Sequence, residues 1–199
     1  QMWTFAATAM VVSCCAYVFA HRNENQRERL EHLATIDPLT GVKNRRSMDQ
    51  ELAMAVASAS RNGISYALVL LDIDYFKKIN DEYGHNVGDD VLVEMVALIE
   101  QNIRKSDQLF RFGGEEFVLL MPGVDSTGLK AVMHNLQHIM HKFLRHPGGQ
   151  VTASFGVALL QAGEKPDDWL ARADEALYEA KDTGRDRIVY ASDLMPSYG

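Results

Sequence analysis

The chain has 199 residues, of which 47% are hydrophobic and 24% charged. That is enough to bury the core of one domain with an appendage, and it excludes a disordered chain. The formal net charge of −7 argues against non-specific binding to a nucleic-acid backbone, which takes a basic surface. The only two cysteines, Cys14 and Cys15, are adjacent, which excludes a disulfide framework and fits a reducing compartment for the globular part.

Residues 2–20, MWTFAATAMVVSCCAYVFA, carry no charge. About 20 apolar residues span a bilayer core, so a transmembrane helix is expected here, with Trp3 and Tyr17 near its two interfaces. His21, Arg22, Arg27 and Arg29 follow, and basic residues on that side place the rest of the chain in the cytoplasm, at the inner membrane. No basic region precedes the apolar stretch, which argues against a signal peptide. The other reading of 2–20 is a buried or coiled-coil helix. The chain begins at Gln1 rather than Met, so an upstream sensor segment is expected. Residues 21–36 lack Gly and Pro and read as a helical connector. The globular part is expected over 37–191, with a tail at 192–199.

Asp37-Pro38 reads as a cap and first position of a new helix. A helix follows from about Arg45 to Ser60, stopped by Arg61-Asn62-Gly63. Tyr66 to Ile73, YALVLLDI, is a continuous apolar run, the pattern of a strand buried on both faces. Val87 to Ile103 reads as a helix. Leu109 to Phe112 and Phe117 to Met121 read as strands joined by Gly113-Gly114-Glu115-Glu116 in a hairpin. A helix from Ser126 to Leu144, a turn at His146 to Gly149 and a strand from Val151 to Leu160 come next. A helix from Asp167 to Asp182 ends at Gly184, and Arg187 to Tyr190 is a last strand. This order predicts an α/β fold of the α+β sandwich kind, with a mostly antiparallel, ferredoxin-like or palm-type sheet flanked by helices.

Asp72 and Asp74 end the most buried strand, and alternation puts them on one face, with Ile73 on the other. Two readings stand side by side: caps of the following turn, or ligands of a hard cation shared with Glu115 and Glu116. Gly113 and Gly114 suit a hairpin tip with positive φ, or a place where a ligand comes close. Lys181 and Arg185, on the last turn and cap of the final helix, either complement the helix dipole or reach a phosphate. Arg104 and Asp107 have the spacing of a local ion pair. His85 is either the first residue of a helix or a substrate contact. His134, His138 and His141 have metal-binding spacing, but a solvated helix face is the plainer reading.

Together these motifs resemble the GGDEF family of diguanylate cyclases over roughly residues 35–191. The matching segments are DPLTGVKNRR from Asp37, LDIDYFKKINDEYGHNVGDD from Leu71, RKSDQLFRFGGEEF from Arg104, SFGVA from Ser154 and ADEALYEAKDTGRDR from Ala173, in the family's order. The signature has the GGEEF form, which is regarded as active in this family.

The resemblance implies an enzyme that condenses two GTP into cyclic di-GMP with release of two pyrophosphates. It implies Mg²⁺ or Mn²⁺, two ions per half-site, on Asp72, the Ile73 carbonyl and Glu115. Glu116 matches the neighbouring acid, which binds metal or helps deprotonate the nucleophile. Asn80 and Asp89 match residues that read the guanine edge. Phe76 and Lys77 match the turn whose amides hold the terminal phosphates, and Gly113 and Gly114 let the nucleotide approach. Lys181 and Arg185 match the phosphate-binding pair. Arg104 and Asp107 match an RxxD site where the product cyclic di-GMP inhibits. Each domain would hold one GTP, so a homodimer is implied. The alternative is a catalytically silent receptor for cyclic di-GMP or GTP.

Overall fold

Alternating apolar and capped segments fold into eight strands and five helices among the residues described by the computed structural model, 35–191. In chain order these are β1 (Lys43–Asn44), α1 (Arg45–Asn62), β2 (Tyr66–Ile73), α2 (Phe76–Tyr83) and α3 (His85–Glu100). Then come β3 (Gln108–Arg111), β4 (Glu116–Pro122), α4 (Ser126–Phe143), β5 (Arg145–His146), β6 (Gly149–Gln150), β7 (Ala153–Leu159), α5 (Pro166–Asp182) and β8 (Ile188–Tyr190). The expected membrane segment, nearly all of the connector and the C-terminal tail lie outside the described residues. Among the described residues, no helix is long and apolar enough to cross a membrane.

The central sheet runs β1-β3-β4-β2-β7-β8. Strand β2 lies inside it, antiparallel to both β4 and β7, and is buried from Ala67 to Ile73. Only the outer strands are parallel to their neighbours, β1 to β3 and β8 to β7. The mostly antiparallel α+β sandwich expected from the sequence is the observed fold.

Alternation along β2 divides the core. Leu68 and Leu70 pack with Met48 and Leu52 of α1 and with Trp169, Ala173 and Leu177 of α5. Val69, Leu71 and Ile73 face the other layer, with Phe76 and Ile79 of α2, Leu92 and Met95 of α3, and Met133 of α4. Asp72 has the parity of Leu68 and Leu70, so it emerges on the α5 side.

One glycine sets how closely α5 sits. Gly156 of β7 is opposite Leu70, and a Cβ there would strike the Ala173 carbonyl and the Leu177 amide. The helix therefore lies directly on the strand backbone. Lys181, four residues after Leu177, is carried along the same helix face to the strand end. Trp169 locks the start of the helix, fully buried with its indole N–H donating to Ala158 O at 3.1 Å.

Several local expectations change. Asp37 caps no helix: its carboxylate accepts from Thr40 N and Oγ1 at 2.9 and 2.6 Å, closing a tight turn at 37–41. Helix α1 is capped instead by Asn44, which accepts from Ser47 N at 3.2 Å. Helix α2 and strand β1 were not anticipated. Helix α2 is only eight residues long and mostly polar outside Phe76 and Ile79, and β1 has two residues, too short for a periodic signal. Gly84, at φ 86°, separates α2 from α3, which therefore starts at His85 rather than Val87. His85 is thus the first residue of that helix, and it is exposed.

Candidate active site

The site is assembled where β2 ends. Asp72 is directly opposite Glu116 of β4 on one side and Ser154 of β7 on the other. Paired positions across a sheet share a face, so Asp72 and Glu116 project together. Glu115 is the last residue of the 112–115 loop that precedes β4. Lys181 reaches in from α5, its Nζ 2.7 Å from Asp72 Oδ2.

Burial dominates the electrostatics of Asp72, which is 6% exposed. Desolvation pushes its carboxyl up to about 6, against the pull of Lys181, and the charges of Glu115 and Glu116 add to the rise. Asp72 thus feels the charges of two further carboxylates, with Lys181 as its ion-pair partner. Neither Glu115 nor Glu116 meets a Lys or Arg at ion-pair distance among the described residues.

Asp74 shares the face of Asp72 but not its situation. It accepts from Thr152 Oγ1 and Ser154 Oγ, both at 2.7 Å, and from the Asp186 backbone N–H at 3.0 Å. Its capacity is used in tying β2 to β7 and to the loop after α5. Of the two acids at the strand end, Asp74 is a bracket and Asp72 faces the site.

The loop with both glycines is held by a residue that sequence reasoning passed over. Arg111 donates from Nη2 to Gly114 O at 2.7 Å and from Nε to Gly113 O at 3.2 Å. The same guanidinium is anchored on Asp37 through Nη1 at 3.0 Å. Burial would raise the Asp37 carboxyl, but hydrogen bonds from Thr40 and Arg111 outweigh it and hold the group below the usual carboxylate range. Both residues lie inside quoted motifs, DPLTG and RFGGEEF. Their pairing across 74 residues of sequence had no local signal.

The glycines themselves differ from expectation. Neither Gly113 nor Gly114 has positive φ. At Gly113 a Cβ would sit 2.5 Å from Glu116 Oε2, so a side chain there would push the Glu116 carboxylate aside. Gly114 has nothing within 4 Å of where a Cβ would stand, so it leaves open space beside the acids.

The remaining residues gather on α2, α3 and the 183–187 loop. At the start of α2 the amides of Phe76 and Lys77 precede the first intrahelical bonds, which run from Lys78 and Ile79 to Tyr75 O. Arg185 lies past the helix cap, Thr183, rather than on it, and its guanidinium is 4.8 Å from the Tyr75 ring centroid. Asn80 packs against Gly88, where a Cβ would strike its Oδ1, and the exposed Asp89 follows on α3.

Arg104 and Asp107 lie at the other end of β3 from the glycine loop. They form no side-chain ion pair. Asp107, 9% exposed, accepts from the Arg104 backbone N–H at 2.9 Å, leaving the Arg104 side chain exposed. The histidines of α4 form no metal cluster: no group of three or more His, Cys, Asp or Glu among the described residues could hold an ion. His134 and His138 are exposed, while His141 meets Asp186.

Comparison with known proteins fits this geometry. The profile of the family described as "Diguanylate cyclase, GGDEF domain" matches residues 34–187. Diguanylate cyclase DgcP of Pseudomonas aeruginosa is 37% identical over 179 residues, covering 88% of this chain and 26% of that protein. Response regulator PleD of Caulobacter vibrioides is 39% identical over 172 residues, covering 82% of this chain and 38% of that one. The chain thus spans well under half of either relative. Among solved structures, the GGDEF domain of DgcB from Caulobacter crescentus, in complex with c-di-GMP, superposes with a TM-score of 0.76 at 34% identity. That match covers 79% of this chain and 96% of that one. The active GGEEF domain of a Vibrio cholerae diguanylate cyclase gives 0.70 at 29% identity over 74% of this chain and 96% of that one. With the profile spanning most of its length, this chain belongs to the GGDEF-domain family of diguanylate cyclases.

Proposed function

We propose that the chain condenses two GTP molecules into cyclic di-GMP, each domain supplying half of the reaction site. The observation that carries this reading is the buried Asp72 carboxylate, opposite Glu116 and close to Glu115, with Lys181 as its ion-pair partner. Such an excess of carboxylates fits a divalent cation. The lack of a three-ligand protein cage among the described residues fits Mg²⁺ or Mn²⁺, which takes few carboxylates and completes its shell with water and substrate phosphate. Asp72, the Ile73 carbonyl and Glu115 would hold two such ions per half-site. When bound, the ions would offset phosphate charge and lower the pKa of the attacking hydroxyl.

The chain's own groups do the rest. The Phe76 and Lys77 amides and the side chains of Lys181 and Arg185 bind the phosphates. Lys181 then exchanges its Asp72 contact for a phosphate oxygen. Asn80 and Asp89 take the guanine edge, and a carboxylate accepting from guanine N–H groups discriminates against adenine. Gly114 leaves room for the nucleotide, and Glu116 accepts the proton of the attacking 3′-hydroxyl. That hydroxyl attacks the α-phosphorus of the GTP on a second domain, and pyrophosphate leaves. A repeat in the opposite direction closes the ring, so a two-fold homodimer is the reacting unit.

Arg104 and Asp107 are the proposed inhibitory site for product. The apolar residues 2–20 and the basic residues after them support attachment to the inner membrane with the domain in the cytoplasm; release of the full chain by an alkaline carbonate wash would contradict that. Titration with a non-hydrolysable GTP analogue tests the substrate reading. One nucleotide per chain with a requirement for Mg²⁺ supports it, and binding of cyclic di-GMP alone would favour a receptor.

A further inference from the structure

Three non-glycine residues have positive φ among the described residues: Tyr75 at 58°, Arg185 at 63° and Asp186 at 48°. All three meet at one place, the mouth of the phosphate region, where the Arg185 guanidinium lies 4.8 Å from the Tyr75 ring centroid. Left-handed backbone is disfavoured for a bulky L-residue and persists only where the surroundings impose it.

What imposes it is Asp186, which is held through three different groups. Its N–H donates to Asp74 Oδ2 at 3.0 Å, and its carbonyl accepts from Gln137 Nε2 at 2.9 Å. Its carboxylate meets His141 Nε2. Gln137 and His141 are four residues apart on α4, so one face of that helix supplies both contacts. On the other side Asp74 is 4% exposed and fixed by the Thr152 and Ser154 hydroxyls. Asp186 thus links α4 to the β2–β7 pair, and Arg185 is the residue next to it.

We propose that Asp186 is a positioning residue, clamped by Gln137 and His141, that turns the Arg185 guanidinium toward the terminal phosphates of the bound nucleotide. This rests on the phosphate reading of Arg185 given above. The clamp touches neither the guanine contacts nor the acids at the end of β2 other than Asp74. Its loss therefore weakens the hold on the β- and γ-phosphates and leaves the base contact alone.

The test is calorimetric binding of a non-hydrolysable GTP analogue, standing for GTP in the comparisons that follow, and of GMP to the full chain with Mg²⁺, for the parent, Arg185→Ala, His141→Ala, His141→Gln and the double variant His141→Ala, Arg185→Ala. Loss of one such hydrogen bond corresponds to about a threefold to tenfold change in affinity. His141→Ala should weaken GTP by that factor with GMP unchanged. His141→Gln, which keeps an N–H donor, should recover most of it. The double variant should bind GTP no worse than Arg185→Ala alone, because His141 acts through Arg185. Multiplying effects in the double variant, or an equal loss for GMP, would overturn the clamp while sparing the phosphate site. If Arg185→Ala leaves GTP affinity unchanged, the phosphate reading fails and the clamp goes with it.

Discussion

Lys181 Nζ and Asp72 Oδ2 are 2.7 Å apart at the end of β2, so the proposed phosphate cation and the proposed metal carboxylate form an ion pair with each other. The pair is unequal. Among the described residues Lys181 is the one ammonium in contact with a group that burial and two further acids push up to about 6.

A pH dependence of stability follows. Because the folded-state value of Asp72 is above its ordinary 3.8, the native state holds more protons than the unfolded chain between those two values. The stabilising contribution is full below about pH 4 and is lost as pH rises through about 6. The ionised group then costs on the order of 2–3 kcal/mol. Asp72→Asn should therefore raise stability by about 1–3 kcal/mol at pH 7.5 and by much less at pH 4, while abolishing activity. Urea unfolding of both proteins without divalent cations gives the comparison. Asp37 and Glu164, whose carboxyls are held low, act in the opposite direction and cancel in the difference. An equal effect of Asp72→Asn at both pH values would argue against the burial account.

Gly156→Ala tests how the fold delivers Lys181. The added methyl meets helix backbone, which cannot swing aside as a flexible side chain would. A loss of roughly 2–3 kcal/mol is expected, or about 5–9 °C in thermal midpoint. Turnover should fall further than at the nearby Val157→Ala, because displacing α5 also displaces Lys181. A midpoint within a degree of the parent would mean that α5 seats less closely than described.

Gly88→Ala addresses the guanine contacts. Its methyl would come within 2.0 Å of Asn80 Oδ1 and push that side chain aside. KM for GTP should rise about tenfold or more, with a loss of stability of about 1 kcal/mol. An unchanged KM would separate Asn80 from base recognition.

Arg104 and Asp107 should part company. Asp107→Ala removes a buried hydrogen-bond acceptor and should cost about 1 kcal/mol, whereas Arg104→Ala, on an exposed side chain, should leave the melting temperature unchanged. Both should relieve inhibition by cyclic di-GMP if the RxxD reading holds. Turnover that stays equally sensitive to added product in both would remove that site.

How much of this was legible in the sequence varies with the range of the interaction. The eight apolar-dominated positions of β2 announced a doubly buried strand, and alternation put Asp72 and Asp74 on one face at its end, with the resemblance singling out Asp72. Asp74 looked equivalent there. Only the Thr152 and Ser154 hydroxyls and the Asp186 amide, distant in sequence, make it a bracket. The turn closed by Asp37 and Thr40 carries the same Asp-Pro signal as a helix start, and the ion pair with Arg111 decides its use. Gly156 is explained by the helix backbone that approaches it rather than by its own φ, and that is a property of packing. The clamp on Asp186 needed α4 placed beside the last loop, so no spacing in the sequence could have indicated it.

The most direct test of the central claim is incubation of the purified chain with GTP and Mg²⁺ at concentrations where it is shown to be dimeric, with products resolved by mass-detected chromatography. The doubly substituted Asp72→Ala, Glu115→Ala protein runs alongside. Cyclic di-GMP and pyrophosphate from the parent alone is the expected result. No cyclic di-GMP from the dimeric parent, or equal amounts from both proteins, would contradict it.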